Sequence, residues 1–171
     1  MNRNSLTRLG LHTGLLVLAA DQASKAWVLY GIDLPRVERI VLLPVLNLTF
    51  VQNRGVTFGL LNGFGAWSSL ALAAVAVLVV VALGVWLRRA ESRMAAIALG
   101  AIAGGALGNV IDRLRLGWVV DFIDVHLGAW HWYVFNVADA AIVCGVLALL
   151  LESQFGRKAG LPSREAEDNG T

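Results

Sequence analysis

The stretch Gly100 to Asp139, GAIAGGALGNVIDRLRLGWVVDFIDVHLGAWHWYVFNVAD, decides how the rest of the chain is read. It opens as apolar helix with Gly100, Gly104 and Gly108 at four-residue spacing. Such a small-xxx-small stripe lets a neighbouring helix approach closely in lipid, where packing drives association. Asn109, Asp112 and Arg113 follow at the far end of that helix, and two further acids, Asp121 in VVDF and Asp139 in FNVAD, stand beside membrane-grade sequence. Burying a carboxylate there without a partner or water costs on the order of several kcal/mol, so an acid at a membrane edge is a candidate functional group.

Composition supports a membrane protein. Of 171 residues 57% are hydrophobic and 15% charged, and the mean hydropathy is +0.67. Soluble domains rarely reach these values. The length suits one small bundle of spanning helices. A formal charge of +2 says little about nucleic acid, and no such partner is expected. The single cysteine, Cys144, excludes an intrachain disulfide and lies in an apolar run where a small hydrophobe belongs.

Working outward, four helical spans are predicted, at about residues 9–29, 66–87, 94–111 and 136–151. The first resembles a signal peptide, but cleavage after Ala20 would put Leu18 where a small residue is needed, so a retained helix is expected. Asp21 and Lys25 are four apart with the acid first, the favourable order for a pair on one helical face. Residues 31–65 carry Pro35 and Pro44 and β-branched, partly alternating sequence, and read as a sheet-like element on the membrane surface ending in a turn at Asn53-Arg54-Gly55. Ala66 to Leu87 has no charge and ends at Arg88-Arg89. A connection of about twenty residues leads from Arg115 to the last span, where Asn136 and Asp139 have capping-box spacing. That spacing alone gives Asp139 a purely structural explanation. Residues 156–171 read as a flexible cytoplasmic tail.

Arg3, Arg8, Arg88, Arg89, Arg93, Arg157, Lys158 and Arg164 fall on one side of four spans, which the positive-inside rule makes cytoplasmic. The chain is then N-in and C-in, and all the candidate acids lie at the outer face. His126 and His131 lack the surrounding pattern of a metal site, and there is no HExxH or GxSxG sequence. Two carboxylates remain. Close together they share one proton, so that the ionised member takes a proton from water while the protonated one polarises a carbonyl. A transporter with Asp21, Lys25, Asp112 and Asp139 as a relay is the rival reading, and it requires polar groups deeper in the spans. A structural assembly subunit would use the glycine stripe and leave the acids idle.

DQASK, NRGVTFG, GGALGNVIDR, GWVVDFID and FNVADA, in this order, resemble the sequence blocks of bacterial lipoprotein signal peptidase, signal peptidase II. The resemblance runs from Asp21 to about Leu151 and implies a peptidase domain over residues 1–155. It implies an aspartic endopeptidase of the bacterial inner membrane, its active site on the periplasmic side, cutting prolipoproteins just before a diacylglyceryl-modified cysteine. Asp121 and Asp139 fall on the catalytic pair. Asp21, Lys25, Asn53, Gly55, Gly105, Gly108, Asn109, Asp112, Arg113 and Asn136 fall on supporting or substrate-binding positions. Globomycin-type inhibitors would occupy the cleft, with residues 31–65 as its cradle. Where the commoner second block reads N-x-G-A-A-F, this chain has Asn53-Arg54-Gly55-Val56-Thr57-Phe58. A monomer in contact with membrane lipid, without cofactor or metal, is expected.

Overall fold

Residues 2–55 and 66–158 are described by a computed structural model of the chain. Helix α1 (Arg3–Ala26) runs through one π-helical turn, Trp27–Gly31, to a short helix α2 (Leu34–Val37). Strands β1 (Arg39–Leu43) and β2 (Leu46–Asn53) follow, then helices α3 (Ala66–Leu87) and α4 (Arg93–Leu116). Strands β3 (Val119–Leu127) and β4 (Trp130–His131) precede the last helix, α5 (Val137–Lys158). Val56, Thr57 and Phe58 of the variant block lie outside the described residues. Helix α5 runs past the expected end at 151 to Lys158, so residues 156–158 of the expected 156–171 tail are helical, and the rest of that tail lies outside the described residues.

Among the described residues three helices are long and apolar enough to cross a membrane: Ser68–Leu87, Arg93–Leu116 and Val137–Gln154. Their burial separates their roles, since 61% of the α4 window is buried but only 11% of each of the other two. Helix α4 is therefore the hub, packed by α1, α3 and α5, while α3 and α5 turn residues such as Leu78, Val81, Leu147 and Leu150 outward. Helix α1 matches α4 in length at 24 residues but carries Arg3, Arg8, Asp21 and Lys25. Its Asp21 and Lys25 are buried.

The glycine stripe explains how α1 and α4 meet. A Cβ at Gly100 would overlap the carbonyl oxygen of Gly10, and one at Gly104 that of Gly14, so the two backbones touch along matched glycine rows. At Gly108 a Cβ would take the space of the Asp21 carboxylate. Gly105 serves another neighbour, for a Cβ there would lie 2.6 Å from the carbonyl oxygen of Ala138 on α5. Helix α4 continues to Leu116, beyond the expected end at Ile111, so Asp112 and Arg113 belong to its last turns.

The sheet-like element expected in residues 31–65 is present as the β1–β2 hairpin, and its partner comes from the connection between α4 and α5. That connection is not a loop. Strand β3 pairs antiparallel with β2, aligning Val51 with Asp121, and β4 pairs with β3, giving the order β1-β2-β3-β4. Beyond β4 the chain returns along β3 through an Ile123–Phe135 bridge, with Phe135 N donating to Ile123 O at 3.0 Å. This return delivers Asn136 beside Asp121.

Two apolar cores result. Leu6, Leu83, Leu87, Ala90, Ala96, Leu99 and Ile102 fill the bundle at the Arg88 end. Val28, Leu34, Leu48, Val120 and Phe122 fill the space beneath the sheet, bordered by Phe50 and Trp118 in edge contact at 5.7 Å. Along α1 and α4 the polar residues Asp21, Lys25, Asn109 and Asp112 come between these cores in sequence.

Candidate active site

The polar layer is held by one buried cation. Lys25 Nζ lies 2.8 Å from both Asp21 Oδ2 and Asp112 Oδ2 and donates to Asn109 Oδ1 at 3.0 Å. The expected Asp21–Lys25 pair is thus part of a triad, with 3% or less of any of these side chains exposed. Buried charges tolerate such a place only when paired and hydrogen-bonded. Asp112 Oδ2 also accepts from Val120 N at 3.1 Å, and Asp21 Oδ1 from Ala138 N at 3.0 Å. Gln22, not singled out from the sequence, donates to Asp21 Oδ2 at 3.2 Å, Gly108 O at 3.2 Å and Asp112 Oδ1 at 3.1 Å. Its place between two members of DQASK was the available signal.

Asp121 and Asp139 are joined through Asn136. The Asn136 side-chain amide donates to Asp121 Oδ1 at 2.7 Å and to Asn109 Oδ1 at 3.2 Å. Its side-chain oxygen accepts from Asp139 N at 2.9 Å, while Asp139 Oδ2 accepts from Asn136 N at 3.3 Å. The capping box is real, and it does not exclude chemistry, because the residue that caps α5 onto Asp139 also binds Asp121. The remaining oxygens are held too: Asp121 Oδ2 accepts from Asn53 Nδ2 at 2.9 Å, and Asp139 Oδ1 from Asn109 Nδ2 at 2.8 Å. Each carboxylate oxygen has one fixed donor and keeps acceptor capacity in reserve.

Burial pushes the Asp121 carboxyl up to about 6. Hydrogen bonds from Asn53 and Asn136 pull the other way, and the Asp139 charge reinforces burial. A carboxyl so tuned can exchange its proton near neutrality.

The turn after β2 completes the site. Asn53 Oδ1 accepts from Gly55 N at 2.8 Å, and Gly55 has φ +73°, a conformation that disfavours a side chain. Arg113 lies nearby: a Cβ on Gly55 would be 4.0 Å from its Nη2. Arg113 Nη1 donates to Asn109 O at 3.4 Å, its buried Nε has no hydrogen-bond partner among the described residues, and its charge acts on Asp139, Asp121 and Asp112. Every expected site residue therefore belongs to one connected region, including Gly105 and Gly108 as close-approach positions.

This connectivity, five sequence blocks converging on two acids, agrees with the comparison to known proteins. The family described as Signal peptidase (SPase) II matches residues 13–155. The chain belongs to the signal peptidase II family. It is similar to the lipoprotein signal peptidase of Methylorubrum extorquens (strain PA1), 48% identical over 163 residues, covering 95% of each chain. That of Rhodopseudomonas palustris (strain ATCC BAA-98 / CGA009) is 43% identical over 156 residues, covering 89% of this chain and 95% of the relative. A solved bacterial membrane enzyme superposes with TM-score 0.73 at 24% identity, covering 95% of this chain and 94% of the other, which supports the fold. Like the rest of signal peptidase II, the chain is a peptidase, and its apolar helices make it a multi-pass membrane protein.

Sequence reasoning missed a second polar cluster on the sheet of this peptidase. Asp124 accepts from Thr49 Oγ1 at 2.8 Å and Asn47 Nδ2 at 3.2 Å and pairs with His131 Nδ1 at 2.8 Å. Burial alone would raise its carboxyl, but these bonds outweigh it and hold it below the usual range. His126 stacks on His131 at 4.8 Å. Among the described residues no group of three His, Cys, Asp or Glu side chains is arranged to hold a metal ion.

Proposed function

We propose that the chain removes signal peptides from diacylglyceryl-modified prolipoproteins, cutting just before the lipidated cysteine by attack of a water that Asp121 and Asp139 activate. The observation carrying this reading is the single residue Asn136, which binds Asp121 through its side-chain amide and Asp139 through the reciprocal cap. One proton is shared by the pair. The ionised acid takes a proton from water as the oxygen attacks the scissile carbonyl carbon, and the protonated acid donates to the carbonyl oxygen. The tetrahedral intermediate then collapses with rupture of the C–N bond, the amine leaving with a proton from the pair. Asn53, Asn109 and Asn136 keep the acids oriented, and Arg113 holds the substrate main chain.

The lipid requirement follows from location. Trp27, Tyr30, Trp130, Trp132 and Tyr133 are exposed in the segments around the sheet and suit the headgroup level. A substrate's acyl chains stay in hydrocarbon, at about 0.8 kcal/mol per buried methylene, while its scissile bond meets the acids. In this reading α1 is the fourth span, about 36 Å long, with Asp21 and Lys25 turned onto α4. Both termini are cytoplasmic, the sheet is periplasmic, and the membrane is the inner one. Globomycin-type inhibitors compete for the same cleft. The relay alternative is weakened because α3 has no charged residue and the buried acids gather toward the sheet end.

The test is cleavage of a diacylglyceryl-prolipoprotein by purified protein in detergent, beside an unlipidated substrate. Wild type should cut only the lipidated form, and Asp121→Asn and Asp139→Asn should fold but fail. Near-normal activity in either variant would show that its carboxylate is structural.

A further inference from the structure

Away from the sheet, a cleft of about 540 Å³ lies between the end of α3 and α5, with Ala95 of α4 in its lining. Its walls differ in chemistry. Leu149 and Leu150 of α5 give an apolar side, and Leu150 is 53% exposed on a helix that turns most of its surface outward. Arg89 and Glu91, from the turn between α3 and α4, and Glu152 of α5 give a charged side. Arg89 and Glu91 are exposed, and neither makes an ion pair or side-chain hydrogen bond among the described residues. Glu152 is fixed by the hydroxyl of Ser92, whose oxygen in turn accepts from Ala95 N at 2.9 Å. Trp86, 52% exposed, lines the same cleft and suits a membrane interface.

A cation and two carboxylates beside an apolar wall complement a headgroup that carries both signs. We propose that this cleft binds a glycerophospholipid whose headgroup joins a phosphate to a primary ammonium, with the phosphate on Arg89 and the ammonium on Glu91 and Glu152. One acyl chain lies against Leu149 and Leu150. A headgroup whose only charge is its phosphate can offer Glu91 and Glu152 hydroxyl donors but no cation to pair with them. A trimethylated ammonium has no N–H to donate. The site is separate from Asp121 and Asp139 and does not depend on the cleavage chemistry.

The test is native mass spectrometry of the purified full chain, titrated with dioleoyl phosphatidylethanolamine, phosphatidylglycerol and phosphatidylcholine in one detergent. The one-to-one phosphatidylethanolamine adduct should persist at the lowest concentration. Arg89→Ala and Glu91→Gln should each weaken it by about three- to fivefold, as expected for exposed ion pairs, and Ser153→Trp should remove it by filling the cleft. Cleavage activity should be unchanged in all three. Equal retention of the three lipids, preference for phosphatidylglycerol, or unaltered binding in the Arg89→Ala and Ser153→Trp proteins would overturn the assignment. The wild-type lipid ranking decides the matter even where a variant fails to fold.

Discussion

Asp112 and Asp21 stand in the same relation to the two acids of the site. Asp112 accepts the N–H of Val120, the residue before Asp121, and Asp21 accepts the N–H of Ala138, the residue before Asp139. Lys25 lies 2.8 Å from both. One buried ammonium thus ties the strand that carries Asp121 to the helix that carries Asp139, through the carboxylates of Asp21 and Asp112.

Removing that ammonium leaves two buried carboxylates facing each other. Lys25→Met is expected to destabilise the protein by about 3–5 kcal/mol, the usual cost of breaking a buried pair from one side. Replacing all three charges together, as Lys25→Met with Asp21→Asn and Asp112→Asn, should recover most of that loss, because both amide oxygens still accept from Val120 and Ala138. Denaturant unfolding in detergent checks both. A single variant as stable as wild type would mean that the triad is not the tie.

Asn136 separates capping from orientation. Asn136→Ser keeps a good N-cap for α5 but loses the amide donor to Asp121, whereas Asn136→Ala loses both. The serine variant should lose about 1–3 kcal/mol of stability from the buried acceptors left without this donor, while cleavage falls on the order of 10–100-fold, as misorientation of a reacting group commonly costs. The alanine variant should lose a further 1 kcal/mol or so from the missing cap. Full activity in Asn136→Ser would show that Asp121 needs no amide to aim it.

How far the sequence revealed this arrangement depended on whether a signal was local. Apolar run lengths gave α3, and Asn136 to Asp139 gave the cap, because spacing along one element is visible in the chain. The residues of the site could be named from short blocks, and the structure gathers them all. Pairing of β2 with β3 could not be read, since Asn53 and Val119 are aligned only by a register formed across two helices. The same holds for Asn47, Thr49 and Asp124, polar residues that look like solvated strand positions until they face one another. Gly100 and Gly104 announced a close partner, but naming it required matching them to Gly10 and Gly14, ninety residues earlier.

That match can be tested with an internal control. A methyl group at Gly100 or Gly104 collides with α1 backbone, which cannot rotate away as a side chain can, whereas one at Gly84 meets nothing within 4 Å. Gly100→Ala and Gly104→Ala should each cost about 1–3 kcal/mol through overpacking and reduce cleavage by shifting Asp21. Gly84→Ala should be neutral or slightly stabilising, given the better helix propensity of alanine. Equal tolerance at all three positions would refute the contact between α1 and α4.

The elevated Asp121 carboxyl has a thermodynamic sign that activity measurements alone would not expose. Its value in the folded protein is about 6, against 3.8 for an ordinary aspartate, so the folded state holds this proton more tightly than the unfolded chain. The stabilising contribution is complete below 3.8 and disappears as pH rises through about 6. Asp121→Asn has no such proton to lose. Its stability relative to wild type should therefore rise between pH 4 and pH 7.5, by up to about 3 kcal/mol at 1.36 kcal/mol per pH unit. Loss of one hydrogen bond from Asn53 or Asn136 offsets the comparison by a constant and leaves this slope intact. Unfolding of both proteins across that range measures it. A difference that stays flat or falls with pH would mean that Asp121 is ionised at little cost in the folded state.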